Sequence, residues 1–311
     1  MICSSVDIGT NSVLLLVATV QNGKIETLHE EQRIPRLGQG VDCNGRLAET
    51  AVQRVLDVLN EYKELLLEFY PEAEKEMIVT ATSAVRDAEN RKEFIDRIKK
   101  ETGWKVVLLS GSEEAQVTFL GALSVLDESY RKKTVSVLDI GGGSTEIATG
   151  KGEILDRWDS LNMGSVRFTE RFLMNDPPEK SQINEARSTV KKMLRNWQSE
   201  PAKIDELVGV AGTVTSVAGI DLGLDRYDPE KINGYKLSRD LIEEKIAEFS
   251  SETPSEIEER YPLFMKGRGD VITAGLIILS EFMKHCDIER LTVSTGGIRH
   301  GILMNPKYSQ F

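Results

Sequence analysis

The chain has 311 residues, 40% of them hydrophobic, and a formal net charge of −11. That length exceeds an ordinary single domain and supplies apolar material for two cores. The acidic balance excludes broad nucleic-acid binding, which needs a basic face, and any anionic ligand must therefore meet locally concentrated basic groups.

Met1 leads directly into a strand-like run without the basic segment of a signal peptide, and no apolar run approaches membrane-spanning length, so a cytoplasmic protein with no membrane partner is expected. Cys3, Cys43 and Cys286 lack CxxC spacing. Neither a disulfide framework nor a zinc site is indicated, and the three are expected to pack as small apolar residues.

Taken in order, Ser5-Val6-Asp7-Ile8-Gly9-Thr10-Asn11-Ser12 is an apolar strand that delivers a carboxylate to a glycine turn with hydroxyls. Strands are expected over 13–20 and 25–33, joined at Asn22-Gly23, a strong hairpin signal. Arg36-Leu37-Gly38-Gln39-Gly40-Val41 is a polar loop containing an arginine. The apolar spacing of Val52, Val55, Leu56, Leu59, Leu66 and Phe69 predicts a long amphipathic helix over 47–70, which Pro71 helps to end.

A strand over 77–82 leads into Ser83-Ala84-Val85-Arg86-Asp87, the start of a helix. Arg86, just past a strand end, is placed to contact phosphate in two-pronged fashion; a surface arginine paired with a nearby acid is the competing reading. Asn90 is expected to cap a helix over 91–102, and 105–109 reads as a strand. Ser110-Gly111-Ser112-Glu113-Glu114-Ala115 then opens a helix to about residue 126. Acids in a first turn usually serve the helix dipole. This helix lies between two halves of the chain, however, so it is expected to cross between them and bring its glutamates beside a cleft.

The stretch Ser136-Val137-Leu138-Asp139-Ile140-Gly141-Gly142-Gly143-Ser144-Thr145-Glu146 repeats the first motif. A glycine run at a strand end leaves backbone N–H groups free to converge on one anion, which makes a phosphate cradle. Asp139 and Glu146 repel phosphate, but they can hold a hydrated divalent cation that bridges to it. A plain β-turn would account for one such stretch. Two copies, each running on into a further β-rich segment at 13–20 and 147–161, instead imply a duplicated fold with a cleft between the halves.

The second half continues with a strand over 153–160, a turn over 161–168 into a helix, a break at Asp176-Pro177-Pro178, a helix over 182–197 and a strand over 205–211. Gly212 and Thr213 then form a third glycine-and-hydroxyl turn before a short helix, whose N-terminus suits a phosphate; helix packing explains that glycine equally well. Helices over 238–249 and 270–284 and a strand over 291–293 lead to Ser294-Thr295-Gly296-Gly297-Ile298-Arg299-His300-Gly301. No Pro/Gly/Ser linker separates the halves.

The blocks DIGTNS at 7–12, RLGQGV at 36–41, ATSAVR at 81–86, SGSEEA at 110–115, DIGGGSTE at 139–146, LNMGSVRFTE at 161–170, AGT at 211–213 and GGIRHG at 296–301 resemble the exopolyphosphatase and guanosine pentaphosphate phosphohydrolase (Ppx/GppA) family over nearly the whole chain. The resemblance implies an α/β fold of two actin-like, ribonuclease H-like domains with an interdomain cleft, as in the acetate and sugar kinase–actin superfamily. The expected domains are 1–122 and 123–298, with a C-terminal helix of about 299–311 packing back on the first.

The family removes terminal phosphate from inorganic polyphosphate, from pppGpp, or from both, with Mg2+. The match places its catalytic glutamate at Glu114, its acidic metal- and water-handling residues at Asp139 and Glu146, and its phosphate-binding arginine at Arg86. Its phosphate-loop positions fall on Asp7, Asn11, Ser12, Gly141, Gly142, Gly143 and Ser144. From the residues themselves, Gly9, Thr10 and Thr145 in the same turns, Gly212 and Thr213 at the third turn and Arg299 at a helix start are expected as further phosphate contacts. Thr295 and His300 replace acids common in the last block, so no role of those acids transfers. Longer family members continue into additional C-terminal helical domains that hold long polymer, and by the resemblance that surface is not expected to be supplied by residues 1–311.

Residue chemistry points the same way. A phosphoanhydride has a good leaving group, so an enzyme need only place water in line and neutralise charge; Glu114 is the candidate base. No cysteine is followed six places later by arginine, and no DxDxT nucleophile occurs. Arg299-His300-Gly301 spells the histidine-phosphatase triplet, but it lies near the C-terminus with no histidine after it. Two alternatives stay open: an ATP-dependent phosphotransferase of the same superfamily, and a non-catalytic nucleotide- or alarmone-binding regulator. A homodimer is also left open.

Overall fold

Ile2–Ile8 and Thr134–Ile140 are equal-length, β-branched runs, and each becomes an interior strand of its own sheet. The structure, a computed structural model, describes residues 1–21, 24–197, 204–305 and 307–308. It divides into two compact units, Met1–Val125 with Gly296–Phe311, and Leu126–Thr295.

The first unit runs β1 (Ile2–Ile8), β2 (Val13–Gln21), β3 (Lys24–Arg33), α1 (Val41–Asn44), α2 (Glu49–Phe69), α3 (Pro71–Lys75), β4 (Met77–Ala81), α4 (Ser83–Asp87), α5 (Arg91–Thr102), β5 (Val106–Leu108) and α6 (Gly111–Ser124). The second contains β6 (Thr134–Ile140), β7 (Thr145–Lys151), β8 (Ile154–Leu161), α7 (Ser165–Phe172), α8 (Lys180–Asn196), β9 (Glu206–Val210), α9 (Ala211–Asp221), α10 (Pro229–Ile232), β10 (Lys236–Ser238), α11 (Arg239–Phe249), α12 (Pro254–Arg260), α13 (Pro262–Met265), α14 (Ile272–His285) and β11 (Arg290–Val293). Helix α15 (Ile298–Met304) belongs to the first unit again.

The two sheets are built alike. One is ordered β3-β2-β1-β4-β5 and the other β10-β11-β9-β6-β7-β8. In each, three consecutive strands form an antiparallel meander, after which two parallel strands are added on the far side of the first; the second sheet alone ends on a further edge strand, β10, antiparallel to β11. Each parallel step is made through helices, because a parallel neighbour needs a long crossover. The same spacing separates Asp7 from Asp139, Gly9 from Gly141, and the register shift at Val17/Ala18 from that at Thr149/Gly150. The repeat therefore extends through the whole meander.

Alternation along the strands decides which face each side chain covers. Val6, Ile8, Leu15 and Val17 pack with Leu56, Leu59 and Tyr62 of α2, while Cys3, Leu16 and Ala18 pack on the opposite face with Val117 of α6 and Ile302 of α15. In the second unit Leu138 and Ile140 join Phe168, Val190, Ile277 and Phe282.

Several local expectations change. The Asn22-Gly23 turn lies outside the described residues. Pro71 ends α2 by starting another helix at its first position, where its missing N–H is harmless. Asn90 does not cap α5; its amide brackets Leu47, accepting from the Leu47 N–H at 2.9 Å and donating to the Leu47 carbonyl at 3.0 Å. Cys3 is buried, but Cys43 is exposed and Cys286 half-buried. Helix α6 does not cross between halves; it lies wholly in the first unit, with α15 packed along it. Among the described residues no helix is long and apolar enough to cross a membrane.

Candidate active site

In the first unit, β1 ends by delivering Asp7 and Ile8 to the turn Gly9-Thr10-Asn11-Ser12, which the Gly9 N–H closes onto the Ser12 carbonyl at 2.9 Å. The Arg36–Gly40 loop is fastened onto this turn. The Arg36 N–H donates to the Asn11 carbonyl at 3.0 Å and the Gly38 N–H to the Thr10 carbonyl at 2.8 Å. With the turn's carbonyls taken up by protein donors, its N–H side is what a ligand meets; among the described residues the Thr10 and Ser12 N–H groups have no acceptor.

Asp7 is buried and accepts the Thr80 hydroxyl at 3.0 Å. Burial pushes its carboxyl up to about 6, against the lowering effects of the Thr80 bond and the Arg299 charge.

The second unit closes its turn with the same backbone bond. The Gly141 N–H closes onto the Ser144 carbonyl at 3.0 Å. Here the N-terminus of α7 fastens the loop: the Ser165 N–H donates to Gly141 O, those of Val166 and Arg167 to Gly142 O, and Arg167 Nε to Gly143 O at 2.7 Å. The Thr145 hydroxyl donates to the Met163 carbonyl at 2.6 Å. Gly164 permits this close approach, since a Cβ there would lie 2.5 Å from the Gly142 carbonyl carbon. Among the described residues the N–H groups of Gly142, Gly143 and Ser144 have no acceptor, as an anion cradle requires.

Asp139 and Glu146 are direct cross-strand partners on β6 and β7, and both are buried. The Ser160 hydroxyl donates to Glu146 at 2.6 Å. Like charges facing each other across a ladder destabilise it, and a cation between them removes the repulsion. Among the described residues no group of three or more His, Cys, Asp or Glu could hold an ion. Two carboxylates alone suit Mg2+, which is held by one or two carboxylates and fills its remaining positions with water and phosphate oxygens.

Glu114 sits in the first turn of α6, 5% exposed, with Oε2 accepting from Arg86 Nη1 at 2.9 Å. The same nitrogen donates to the Leu109 carbonyl at 2.9 Å. A buried carboxylate needs such a partner. Arg86 is thus fixed by Glu114 and the end of β5, and its guanidinium is partly exposed. Glu113, one residue earlier, completes a capping box with Ser110.

At the third turn, Ala211 adopts a left-handed backbone, φ 66°, which ends β9 at Val210 and starts α9. Gly212 lies directly beneath a guanidinium: a Cβ there would be 1.3 Å from Arg268 Nη1. Among the described residues Arg268 has no acidic partner, and burial pushes its pKa down to about 10, so it remains charged at neutral pH. A strained residue, a helix N-terminus and a desolvated cation converge here, an arrangement suited to an anion. Arg268 was not singled out from sequence; the only signal was a cation between two glycines, Gly267-Arg268-Gly269, ahead of a helix.

Arg299 is engaged within the first unit, donating to the Leu15 carbonyl at 3.1 Å with Glu30 at 3.2 Å. Its charge acts on Asp7 through space. His300 is sealed in the interior, and burial pushes its imidazole down to about 3. A neutral, inaccessible ring has no route to a phosphate.

A model of the Ppx/GppA phosphatase family matches residues 16–308. The chain belongs to that family. Exopolyphosphatase 2 of Mycobacterium tuberculosis is 34% identical over 323 residues, covering 97% of each chain. The bifunctional 3-dehydroquinate synthase/phosphatase of Fusobacterium nucleatum is 35% identical over 301 residues, which are 94% of this chain but 44% of that one. The chain thus spans less than half the length of that relative. Among solved structures, the Ppx/GppA family member of Aquifex aeolicus matches with a TM-score of 0.80 at 33% identity, over 98% of this chain and 96% of that one. The chain therefore shares the α/β fold of the Ppx/GppA structure it matches.

Proposed function

We propose that this Ppx/GppA protein is an exopolyphosphatase that releases terminal orthophosphate from inorganic polyphosphate. pppGpp carries the same terminal phosphoanhydride and is the second substrate of this reading. The observation that carries it is the duplicated turn with outward N–H groups, supplemented in the second copy alone by the opposed carboxylates Asp139 and Glu146. The relative from Mycobacterium tuberculosis bears the name of that activity.

In this reading each glycine turn offers its free N–H groups to phosphate oxygens, and the Arg86 guanidinium adds positive charge where charge develops during transfer. Gly212, Thr213 and Arg268 take a phosphate further along the substrate, and Arg299 acts on this set by its charge on Asp7. The Glu114 carboxylate orients a water and accepts its proton as the water oxygen bonds to the terminal phosphorus. The bridging oxygen leaves with the shortened chain. Asp139 and Glu146 would hold Mg2+, which when bound supplies neutralising charge at the phosphate oxygens.

Purified protein with Mg2+ and polyphosphate should release orthophosphate without added nucleotide. Release that depends on an acceptor hydroxyl would support a phosphotransferase instead, and tight pppGpp binding without release would support a regulator.

A further inference from the structure

Glu113 faces different partners from its neighbour Glu114. Its Oε2 accepts from the Ser110 N–H at 2.9 Å and from the Ser110 hydroxyl at 2.7 Å. Its Oε1 accepts from the Tyr308 hydroxyl at 2.9 Å and ion-pairs with Lys307 Nζ. One carboxylate therefore ties the first turn of α6 to the segment that follows α15.

That segment reaches Glu113 because α15 runs antiparallel along one stripe of α6. A Cβ at Gly121 would lie 2.0 Å from the Gly297 carbonyl oxygen, and one at Gly301 would lie 1.8 Å from the Val117 carbonyl oxygen. Positions 121, 117 and 113 recur every fourth residue, so they share a single helix face. Backbone contact at the first two leaves no room for sliding, and the third is clamped by Lys307 and Tyr308. The bonds from Lys307 and Ser110 hold the Glu113 carboxyl down at about 2, so the tie is charged throughout the neutral range.

We propose that Lys307 and Tyr308 are positioning residues for Glu114: acting through Glu113, they set the height and rotation of the first α6 turn at which Glu114 meets Arg86. This rests on Glu114 being the base. A base displaced by about 1 Å loses up to ~10²-fold in turnover, whereas groups that bind the ligand are unaffected.

The test compares wild type with Lys307→Ala, Lys307→Arg, Tyr308→Phe, Glu113→Gln and the Glu113→Gln/Lys307→Ala double variant, using polyphosphate with Mg2+. Amide hydrogen exchange at residues 111–115 provides a readout independent of activity. Lys307→Ala and Tyr308→Phe should each lower kcat by about 5- to 30-fold with KM within about twofold, and speed exchange in the first turn. Lys307→Arg should restore most of kcat, and the double variant should be no worse than Glu113→Gln alone. Unchanged kcat in an active protein, a loss confined to KM, or failure of Lys307→Arg to rescue would overturn the proposal. Tyr308→Phe deletes one oxygen, so a fold defect in the lysine variants leaves it decisive. A wild type that releases no orthophosphate removes the hydrolase reading, and unchanged exchange in the variants then overturns the clamp on its own.

Discussion

Asp139 and Glu146 stand directly opposite each other on adjacent antiparallel strands, whereas the matching position opposite Asp7 in the first copy is Leu14. The repeat has thus diverged at the one place that decides whether a loop can share a cation. Replacing Glu146 by Gln keeps an acceptor for Ser160 and removes one of two facing charges. Without metal this variant should be more stable than wild type by about 0.5–1 kcal/mol. Mg2+ should raise the melting temperature of wild type but not of the variant, since only a ligand of the folded state stabilises it. Differential scanning calorimetry with and without Mg2+ measures both, and a metal response retained by the variant would place the ion elsewhere.

Asp7 gives a pH signature. A buried carboxyl raised to about 6 from an unfolded value near 3.8 favours folding in its protonated form. Below the unfolded value Asp7 imposes no penalty; as pH rises through 6 the penalty becomes complete, about 2–3 kcal/mol for a shift of that size. Asp7→Asn should therefore match wild type in stability near pH 4 and exceed it by about that amount at pH 8, while losing activity. Urea unfolding at the two pH values tests this, and the difference between proteins cancels the opposite acid sensitivity of buried His300.

Glu114→Gln retains shape and burial but cannot accept a proton. Turnover should fall by about 10²–10⁴-fold, the usual contribution of a general base, with substrate affinity largely kept. Arg86→Ala should behave differently, because it leaves the buried Glu114 carboxylate without its guanidinium partner. A stability loss of about 2–3 kcal/mol is expected, below the range for fully buried pairs because Arg86 is partly exposed. Steady-state kinetics together with chemical denaturation separates the two effects.

Arg268 is a desolvated cation without an acidic partner among the described residues, so its removal should relieve the fold rather than harm it. Arg268→Met should be at least as stable as wild type and raise KM for polyphosphate by about tenfold or more, the worth of a charged hydrogen bond. Ala211→Gly, which relaxes a left-handed residue, should add about 1 kcal/mol of stability. An Arg268→Met protein with unchanged KM would remove the third turn from the site.

Much of this protein is fixed by local pattern. An apolar run followed by Asp, Ile, Gly and, three residues on, Ser reads as a strand feeding a tight turn, and its recurrence at Asp139 announced a duplicated fold. The amphipathic spacing of α2 and the motif order that names the Ppx/GppA family were legible for the same reason, since each depends on residues a few positions apart. Other features depend on which distant segments meet. That Asn90 serves Leu47 and not its own helix, that Arg268 lies on Gly212, and that α6 stays in the first unit with Lys307 and Tyr308 on Glu113 are outcomes of packing between segments far apart in the chain. A side chain's hydrogen-bonding capacity is written in its residue type, but its partner is chosen only when tertiary folding removes water and leaves one acceptor within reach.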